Sequence, residues 1–156
     1  MIVLGLLESG EATPYELKTR VAASVGAFWS VPHSALYAEP ERLRRAGLVE
    51  ERREPGGRRR RVFSVTEAGR RALAAWRAEP AAGLPELRDP ALLKLFFGAD
   101  PAAIADSQVD AHRARLAHYE AIKALDDGSG PRGPFLALEA GLRHEREWIA
   151  YWEALR

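Results

Sequence analysis

Cysteine is absent from the 156 residues, and long apolar runs are absent as well. Without cysteine the chain can neither form disulfides nor use a thiolate as a nucleophile or metal ligand, which fits a reducing compartment. No apolar run approaches the ~18 residues that a membrane helix needs, so no membrane partner is expected. The apolar start, residues 1–7, has no basic region before it and no cleavage site after it, and it predicts a buried first helix rather than a signal peptide. We therefore expect a cytoplasmic protein.

Motifs of enzymes and metal sites are missing too. The chain has no glycine-rich phosphate loop ahead of a helix and no nucleophile elbow. Its histidines are scattered: His112 and His118 are six residues apart and do not share a helical face, while His144 and Glu147 have no further ligand beside them. We predict that the protein is not an enzyme, holds no metal and needs no cofactor.

The formal net charge of +1 conceals an uneven distribution. Residues 1–80 contain 14 Lys and Arg against 10 Asp and Glu, whereas residues 81–156 contain 9 against 12. A basic first half is typical of a part of a chain that binds nucleic acid. Arginine supplies 20 of the 23 basic residues, so no single arginine is informative by itself.

Start and stop signals in the first 78 residues predict four helices and a hairpin. The helices are predicted over residues 1–8, 14–25, 30–46 and 67–78. The second begins with a capping box, in which Thr13 is the cap and Glu16 follows three residues later. Strands at residues 48–49 and 62–65 flank the turn signal Pro55-Gly56-Gly57 and predict the hairpin. This order, in a mainly α chain, is that of a winged helix-turn-helix domain with a two-stranded wing.

The second half predicts a linker followed by helices. Proline and glycine are frequent in residues 79–90, which separate a domain at 1–78 from a helical dimerisation region at 91–156. A short helix is predicted from Asp89-Pro90, a long one from Asp100-Pro101 to about Asp126, and a last one from Phe135.

A coiled-coil spacing marks the long helix of the second half. The spacings of 3, 4 and 3 are those of a coiled-coil seam, formed here by Val109, His112, Leu116 and Tyr119. Such a stripe must be buried, and we expect a partner chain to cover it. Packing on the winged domain of the same chain is the alternative.

Helix 3 and the hairpin together predict a DNA-binding surface, because a helix fits the major groove while other elements hold the phosphate backbone. Leu36 and Leu43 lie seven residues apart and should face the core. The predicted DNA-binding residues are the polar and basic ones outside that apolar face: Ser30, His33, Ser34, Tyr37, Arg42, Arg58, Arg59, Arg60 and Arg61. A strand directs at most two of the four consecutive arginines to one face. The alternatives are a solvated helix face and a charged edge that discourages strand pairing.

Five short motifs in residues 1–77 occur together in one known family. They are Tyr15-Glu16-Leu17, Phe28-Trp29, Leu36-Tyr37, Gly47-Leu48-Val49 and the stretch from Gly57-Arg58 to Gly69. With them the chain resembles the PadR family of bacterial transcriptional regulators. Residues 89–156 are similar to the helical dimerisation region of its longer members, through residues 92–98 and Glu147-Trp148-Ile149.

The resemblance implies a homodimeric repressor that binds palindromic double-stranded operator DNA, and many such proteins release DNA when a small phenolic or drug-like molecule binds. A winged-helix adaptor that binds proteins without specific DNA binding is the alternative. Candidates for an effector site are the aromatic residues Trp29, Tyr119, Trp148, Tyr151 and Trp152. The alternative for these rings is that they fill the dimer core.

One position departs from the family pattern. The family usually has proline directly after the tyrosine of helix 3 and leucine two residues later, whereas Tyr37 is followed here by Ala38-Glu39-Pro40. A proline inside a helix has no N–H to donate and clashes with the carbonyl four residues before it, that of Leu36. We expect helix 3 to bend or break at Pro40, and we expect Pro40→Leu to raise the melting temperature.

Overall fold

The computed structural model describes residues 1–53, 60–81 and 83–156. The chain divides into two compact units, residues 1–83 and 84–156. The helices are α1 (Ile2–Glu8), α2 (Pro14–Ala22), α3 (His33–Arg45), α4 (Glu67–Ala78), α5 (Pro90–Phe96), α6 (Pro101–Ala124) and α7 (Arg132–Glu153), and the strands are β1 (Val49–Arg53) and β2 (Arg61–Val65). No helix in these described ranges is long and apolar enough to cross a membrane.

One apolar core joins every element of the N-terminal unit. Its buried side chains come from α1 to α4 and both strands: Val3, Leu4, Leu7, Ala12, Leu17, Val21, Leu36, Leu43, Val49, Phe63, Val65 and Leu73. Leu36 and Leu43 are 1% and 2% exposed, so the predicted core face of α3 is confirmed. Three helices, an antiparallel hairpin and a fourth helix follow one another, which confirms the predicted winged helix-turn-helix fold. The predicted turn Pro55-Gly56-Gly57 lies outside the described residues.

The strand β2 is hydrogen-bonded along both edges. One edge pairs with β1, in a register that runs from Val49 opposite Val65 to Arg53 opposite Arg61. On the other edge, Ala12 and Phe63 exchange two backbone N–H···O bonds of 2.9 Å. The segment between α1 and α2 therefore holds the base of the hairpin against the core, a pairing that the sequence did not predict.

Two glycines of the family motifs fix the junction between α3, the hairpin and α4. Gly47 has a φ of +70°, a left-handed conformation that favours glycine after a helix. The Thr66 hydroxyl donates to the Gly47 carbonyl at 2.8 Å and accepts from the Gly69 N–H at 3.1 Å, so it caps α4. A Cβ atom on Gly69 would lie 2.0 Å from the Leu48 carbonyl oxygen, so no larger residue fits there.

Hydrogen bonds at the start of α2 confirm the predicted capping box. The Thr13 hydroxyl accepts from the Glu16 N–H at 3.2 Å, and the Glu16 carboxylate accepts from the Thr13 N–H at 2.7 Å. This backbone bond from Thr13 holds the pKa of Glu16 below its usual value. Nearby, the Arg20 guanidinium donates to the carbonyls of Leu6, Gly10 and Glu11 at 2.8, 2.8 and 2.9 Å and so ties α2 to the end of α1.

Several helix ends differ from the prediction. The second helix ends at Ala22 instead of residue 25, and a 3-10 turn follows at Val25–Ala27. The third begins at His33 instead of Ser30, with Pro32 as its N-cap residue. A proline disfavours the helical conformation of the residue before it, so the helix cannot start earlier. The seventh begins at Arg132, ahead of the predicted Phe135. A proline in its first turn is tolerated because the N–H groups there have no helical partner.

The helix α3 continues without interruption through Pro40, so the predicted break is wrong. The Pro40 ring is less than 2% exposed and lies on the same helical face as Leu36 and Leu43, at spacings of four and three residues. The ring itself occupies the core position at which the family usually has leucine. Core packing therefore stabilises a helix that lacks one backbone hydrogen bond.

The C-terminal unit is built on an antiparallel pair, α6 and α7, with α5 packed on α6. Ion pairs join the C-terminal end of α7 and the residues after it to the start and middle of α6, and earlier residues of α7 to the C-terminal end of α6: Asp106–Arg156, Arg113–Glu153, Glu120–Arg146 and Lys123–Glu139. The core of this unit contains Ala91, Ala105, Val109 and Trp152.

The predicted seam of α6 packs against α7 of the same chain. Val109 and Tyr119 are 0% and 7% exposed within the single chain. The ring of Tyr119 lies over Gly141 of α7, where an added Cβ would approach it to 3.0 Å. The expectation that a partner chain covers this stripe is wrong, because the spacing of a seam is the same whichever helix faces it.

A buried carboxylate also joins α6 and α7. The side chain of Glu145 is 3% exposed, and its Oε2 lies 2.5 Å from Nδ1 of His112. The two atoms are hydrogen-bonded, with the Nδ1–H tautomer of His112 donating wherever the carboxylate accepts. Arg115 places a guanidinium nitrogen 3.9 Å from the other carboxylate oxygen. No local pattern in the sequence predicts this pair, because its members lie 33 residues apart.

We predict that Pro40→Ala stabilises the protein. Alanine restores the helical hydrogen bond, and proline costs ~3 kcal/mol more than alanine inside a helix. Two buried methylenes are lost at ~0.8 kcal/mol each, and the freer unfolded chain costs roughly another 0.4–1 kcal/mol. Denaturant unfolding should show a net gain of about 1 kcal/mol. The control Pro14→Ala, at the first position of α2, should bring no gain. A less stable Pro40→Ala protein would show that the packing of the ring outweighs the hydrogen bond.

We also predict that Glu145→Ala lowers the free energy of unfolding by about 1–3 kcal/mol, because it leaves the His112 N–H without an acceptor. Glu145→Gln should cost less, since its amide oxygen still accepts from His112. Glu147→Ala, at an exposed position on the same helix, is the control and should change stability by less than about 0.5 kcal/mol. Equal losses for the alanine and glutamine variants would contradict the role of the hydrogen bond.

Candidate nucleic-acid interface

The exposed face of α3 carries most of the predicted DNA-binding residues of the helix. His33, Ser34, Tyr37 and Arg42 are all exposed, and Tyr37 is 56% exposed. Ser30 is exposed as well but precedes the helix. An open groove of about 780 Å³ runs beside this face and is lined by Ser34, Tyr37, Ala38, Glu41, Arg42, Arg45 and Arg61. The helix therefore presents hydroxyl and imidazole groups on one face, and such groups hydrogen-bond to base edges in the major groove of DNA.

The four predicted arginines of the wing have different surroundings. Arg58 and Arg59 lie outside the described residues. Arg60 is exposed and forms no ion pair with the described part of the chain. Arg61, by contrast, is held by two carboxylates at the outer end of the described hairpin. Within the described hairpin, Arg60 is thus the arginine better placed to bind a phosphate.

Arg61 links three elements of the N-terminal unit. Its Nη2 atom donates to Glu41 of α3 at 2.6 Å and to Glu51 of β1 at 2.7 Å. Its Nε atom donates to the second oxygen of Glu51 at 2.9 Å. Its guanidinium carbon lies 5.2 Å from the centre of the ring of Phe63, its neighbour on the same face of β2. We call Glu41, Glu51 and Arg61 the wing bridge.

The charges of the wing bridge stabilise one another. Hydrogen bonds from Arg44 and Arg61 lower the pKa of Glu41 to about 2. Arg61 likewise lowers the pKa of Glu51, and both carboxylates raise the pKa of Arg61. Because the pKa of Glu41 is lowered in the folded protein, its ion pairs stabilise the fold fully above pH 4.5. This contribution is lost as the pH falls towards 2. All three groups are therefore charged at neutral pH.

Arg42 is paired within its own helix. Its guanidinium forms two hydrogen bonds with Glu39, at 2.6 and 2.8 Å, and the arginine lowers the pKa of that carboxylate. The Arg42 side chain is nevertheless 67% exposed. Exposed pairs of this kind contribute ~0–1 kcal/mol, so a phosphate can compete for Arg42. The DNA-contact roles of Arg42 and Arg61 remain predictions.

Glu41 and Glu51 are the residues of this surface that sequence reasoning missed. The pairing of Glu41 with Arg44 and Arg45 has the helical spacing of three and four residues and was readable from the sequence. Its pairing with Arg61 was not, because 20 residues separate them and only the packing of α3 on the hairpin brings them together.

The predicted aromatic residues fall into two groups. Trp29 belongs to the N-terminal unit and is 58% exposed, next to Phe28 at 66%. The other four, Tyr119, Trp148, Tyr151 and Trp152, belong to the C-terminal unit. There, Trp148 lies between several rings. Its centroid is within 5.5–6.3 Å of those of His112, His144, Tyr151 and Trp152.

Trp148 and Trp152 stack as their spacing of four residues predicts, with 24° between the ring planes. Trp152 is fully buried in the core of its own unit, where its Nε1–H has no hydrogen-bond acceptor among the described residues. Trp148 is only partly buried. The cluster thus combines a partly exposed indole with a buried donor that lacks an acceptor among the described residues, an exception to the usual pairing of buried polar groups.

Comparisons with known proteins match both units. Residues 3–75 match the family described as "Transcriptional regulator PadR-like family", and residues 87–156 match "Virulence activator alpha C-term". The negative transcriptional regulator PadR of Bacillus subtilis (strain 168) is 26% identical over 171 residues, which cover 98% of this chain and 92% of that protein.

Solved structures show the same fold. Bacillus subtilis PadR in complex with operator DNA has a TM-score of 0.86 at 24% identity, covering 98% of this chain and 94% of that one. Its complex with p-coumaric acid has a TM-score of 0.80 at 23% identity, covering 97% and 92%. The Vibrio cholerae virulence activator AphA is 30% identical with a TM-score of 0.73, covering 99% and 93%. With both units matched over nearly their full length, this chain belongs to the PadR-like family of transcriptional regulators.

Proposed function

We propose that the protein is a homodimeric repressor that binds palindromic operator DNA through α3 and the wing. The exposed polar face of α3, with His33, Ser34 and Tyr37 beside an arginine-bearing hairpin, is the observation that carries this proposal. A helix of this kind reads base edges, while arginines of the wing bind phosphates. The complex of Bacillus subtilis PadR with operator DNA supports it. The protein acts by binding rather than catalysis, in the cytoplasm, where the chromosome lies.

Exposed apolar side chains of the C-terminal unit support a dimer. On and directly after α5, Leu93, Phe96 and Phe97 are 59%, 82% and 78% exposed, and the two phenylalanine rings pack edge to face at 5.2 Å. Large apolar groups clustered in this way mark surfaces that another chain covers. A two-fold dimer would present two copies of α3 to the two half-sites of a palindrome.

We further propose that the aromatic cluster around Trp148 binds a small aromatic effector with an acceptor group. Trp148 is partly exposed, and a ligand that displaced its neighbouring rings would also reach the buried Nε1–H of Trp152, which has no acceptor among the described residues. The complex of Bacillus subtilis PadR with p-coumaric acid supports the choice of a phenolic acid as the probe. To relieve repression, the ligand must bind more tightly to the conformation that does not bind DNA.

We predict that selection from a random duplex pool enriches one palindrome with half-sites about 10 bp apart, one helical turn. Ser34→Ala and Tyr37→Ala should weaken binding to that sequence more than to a scrambled duplex. Arg60→Gln should weaken both equally and reduce the log–log salt slope by about one. Arg88→Gln, an exposed arginine of the other unit, is the control and should leave the slope unchanged. If no sequence is enriched and binding ignores salt, the winged fold serves as a protein-binding adaptor instead.

We predict that p-coumaric acid quenches tryptophan fluorescence, corrected for its own absorbance, and weakens binding to the enriched duplex. Trp148→Phe should remove most of the quenching, because it removes the central ring of the cluster. Trp76→Phe, at an exposed position on α4, is the matched control and should retain it. A planar cationic dye in the same assay tests whether the cluster also binds a flat aromatic ligand of the opposite charge. Quenching without any change in DNA affinity would exclude an effector role for this cluster.

A further inference from the structure

We propose that the wing bridge positions the wing relative to α3, so that Glu41 increases operator selectivity without touching DNA. The proposal rests on the proposed DNA-binding function. It assigns to Glu41, Glu51 and Arg61 a role distinct from that of the arginines that contact phosphates. Glu41 and Arg61 act here as positioning residues.

The wing bridge lies where it can set the orientation of the hairpin relative to α3. Arg61 begins β2 and pairs with Arg53 on the last described rung of the hairpin. The base of the hairpin is fixed by the core through Phe63, whereas the side chain of Arg61 connects its outer end to α3. The bridge therefore ties the phosphate-binding arm to the base-reading helix.

Several contacts restrain the Arg61 side chain more than a single exposed ion pair would. Arg61 forms three hydrogen bonds of 2.6–2.9 Å with two carboxylates and also packs over the ring of Phe63. The Glu51 side chain is only 12% exposed and that of Glu41 26%. Charge-assisted bonds with several partners restrict an arginine far more than a single exposed pair does.

We expect Glu41 to have two effects on DNA binding: its charge lowers the affinity for any sequence, and its place in the bridge increases the discrimination between sequences. Removing Glu41 therefore changes the two quantities in ways that can be measured separately. As a negative charge on the helix that faces DNA, it repels phosphates, so its removal should strengthen binding to any sequence. As a member of the bridge, it holds the wing in register with α3, so its removal should weaken discrimination between sequences. It also pairs with Arg44 and Arg45, which its removal would free for nonspecific phosphate contacts.

Glu39 provides a closely matched control. It lies on the same helix, its side chain is also 26% exposed, and it pairs only with Arg42 among the described residues. Glu39→Gln and Glu41→Gln remove the same charge from the same element, but only the second substitution removes the ion pair between α3 and Arg61 of the wing, leaving the longer Arg44–Glu51 pair of 3.7 Å. Freed arginines strengthen binding to any sequence, so a loss of selectivity seen only with Glu41→Gln reports the bridge.

The experiment measures the affinity of the full-length protein for the duplex enriched from a random pool and for a scrambled duplex. With Glu41→Gln, we expect the ratio of the two affinities to fall about tenfold, while binding to the scrambled duplex strengthens. With Glu39→Gln the ratio should stay constant. The double variant Glu41→Gln/Arg61→Gln should show no further loss of ratio, because both substitutions break one bridge. Equal ratios for both glutamate variants, or additive losses in the double variant, would overturn the proposal.

Hydrogen exchange of the free protein provides a test that needs no DNA. Amides of β1 and β2 should exchange faster in Glu41→Gln than in Glu39→Gln, because the outer end of the hairpin loses its connection to α3. Unchanged exchange would show that the bridge does not restrain the wing. If the wild-type protein enriches no sequence, the proposed DNA-binding function fails, and the exchange result still decides whether the bridge positions the wing.

Discussion

The N-terminal unit depends on the burial of Phe63. Its ring is 1% exposed in the core, and its backbone exchanges two hydrogen bonds with Ala12 on the edge of β2 that faces away from β1. The same ring lies under the guanidinium of Arg61. One residue thus anchors the hairpin to the core, to the segment between α1 and α2, and to the bridge that reaches α3. Without that anchor, the wing would be a two-stranded hairpin, which is marginally stable in water by itself.

The abundance of arginine in the first 80 residues overstates the positive charge that this surface offers to DNA. Arg42, Arg44 and Arg61 each face a glutamate at 2.6–2.8 Å. These arginines are already paired with carboxylates of the same chain in the absence of a phosphate. A phosphate that binds any of them must first displace its glutamate, which would make such a contact dependent on geometry as well as on charge.

The features predicted correctly from the sequence are those set by local chemistry. Both bounds of α4 and the capping box at Thr13 follow from residues within one turn of each helix end. The stacking of Trp148 on Trp152 follows from helical spacing. Errors arose where distant packing decides: the core accommodates Pro40 within a continuous helix, and α7 covers the seam of α6. The partners of Arg61 and His112 lie 20 and 33 residues away in sequence, and no local pattern identifies them.

The C-terminal unit connects the aromatic cluster physically to the surface proposed for the dimer. Trp152 shares its core with Ala91 of α5, and Leu92 and Leu95 of the same short helix pack against that core. The opposite side of α5 exposes Leu93 and the two phenylalanines that follow along the chain. Close-packed cores transmit small displacements, so a ligand that moves Trp152 also moves α5. In the dimer proposed above, a displacement of α5 would change the contact between the two copies. A modest difference in ligand affinity between two such arrangements is then sufficient to alter DNA binding.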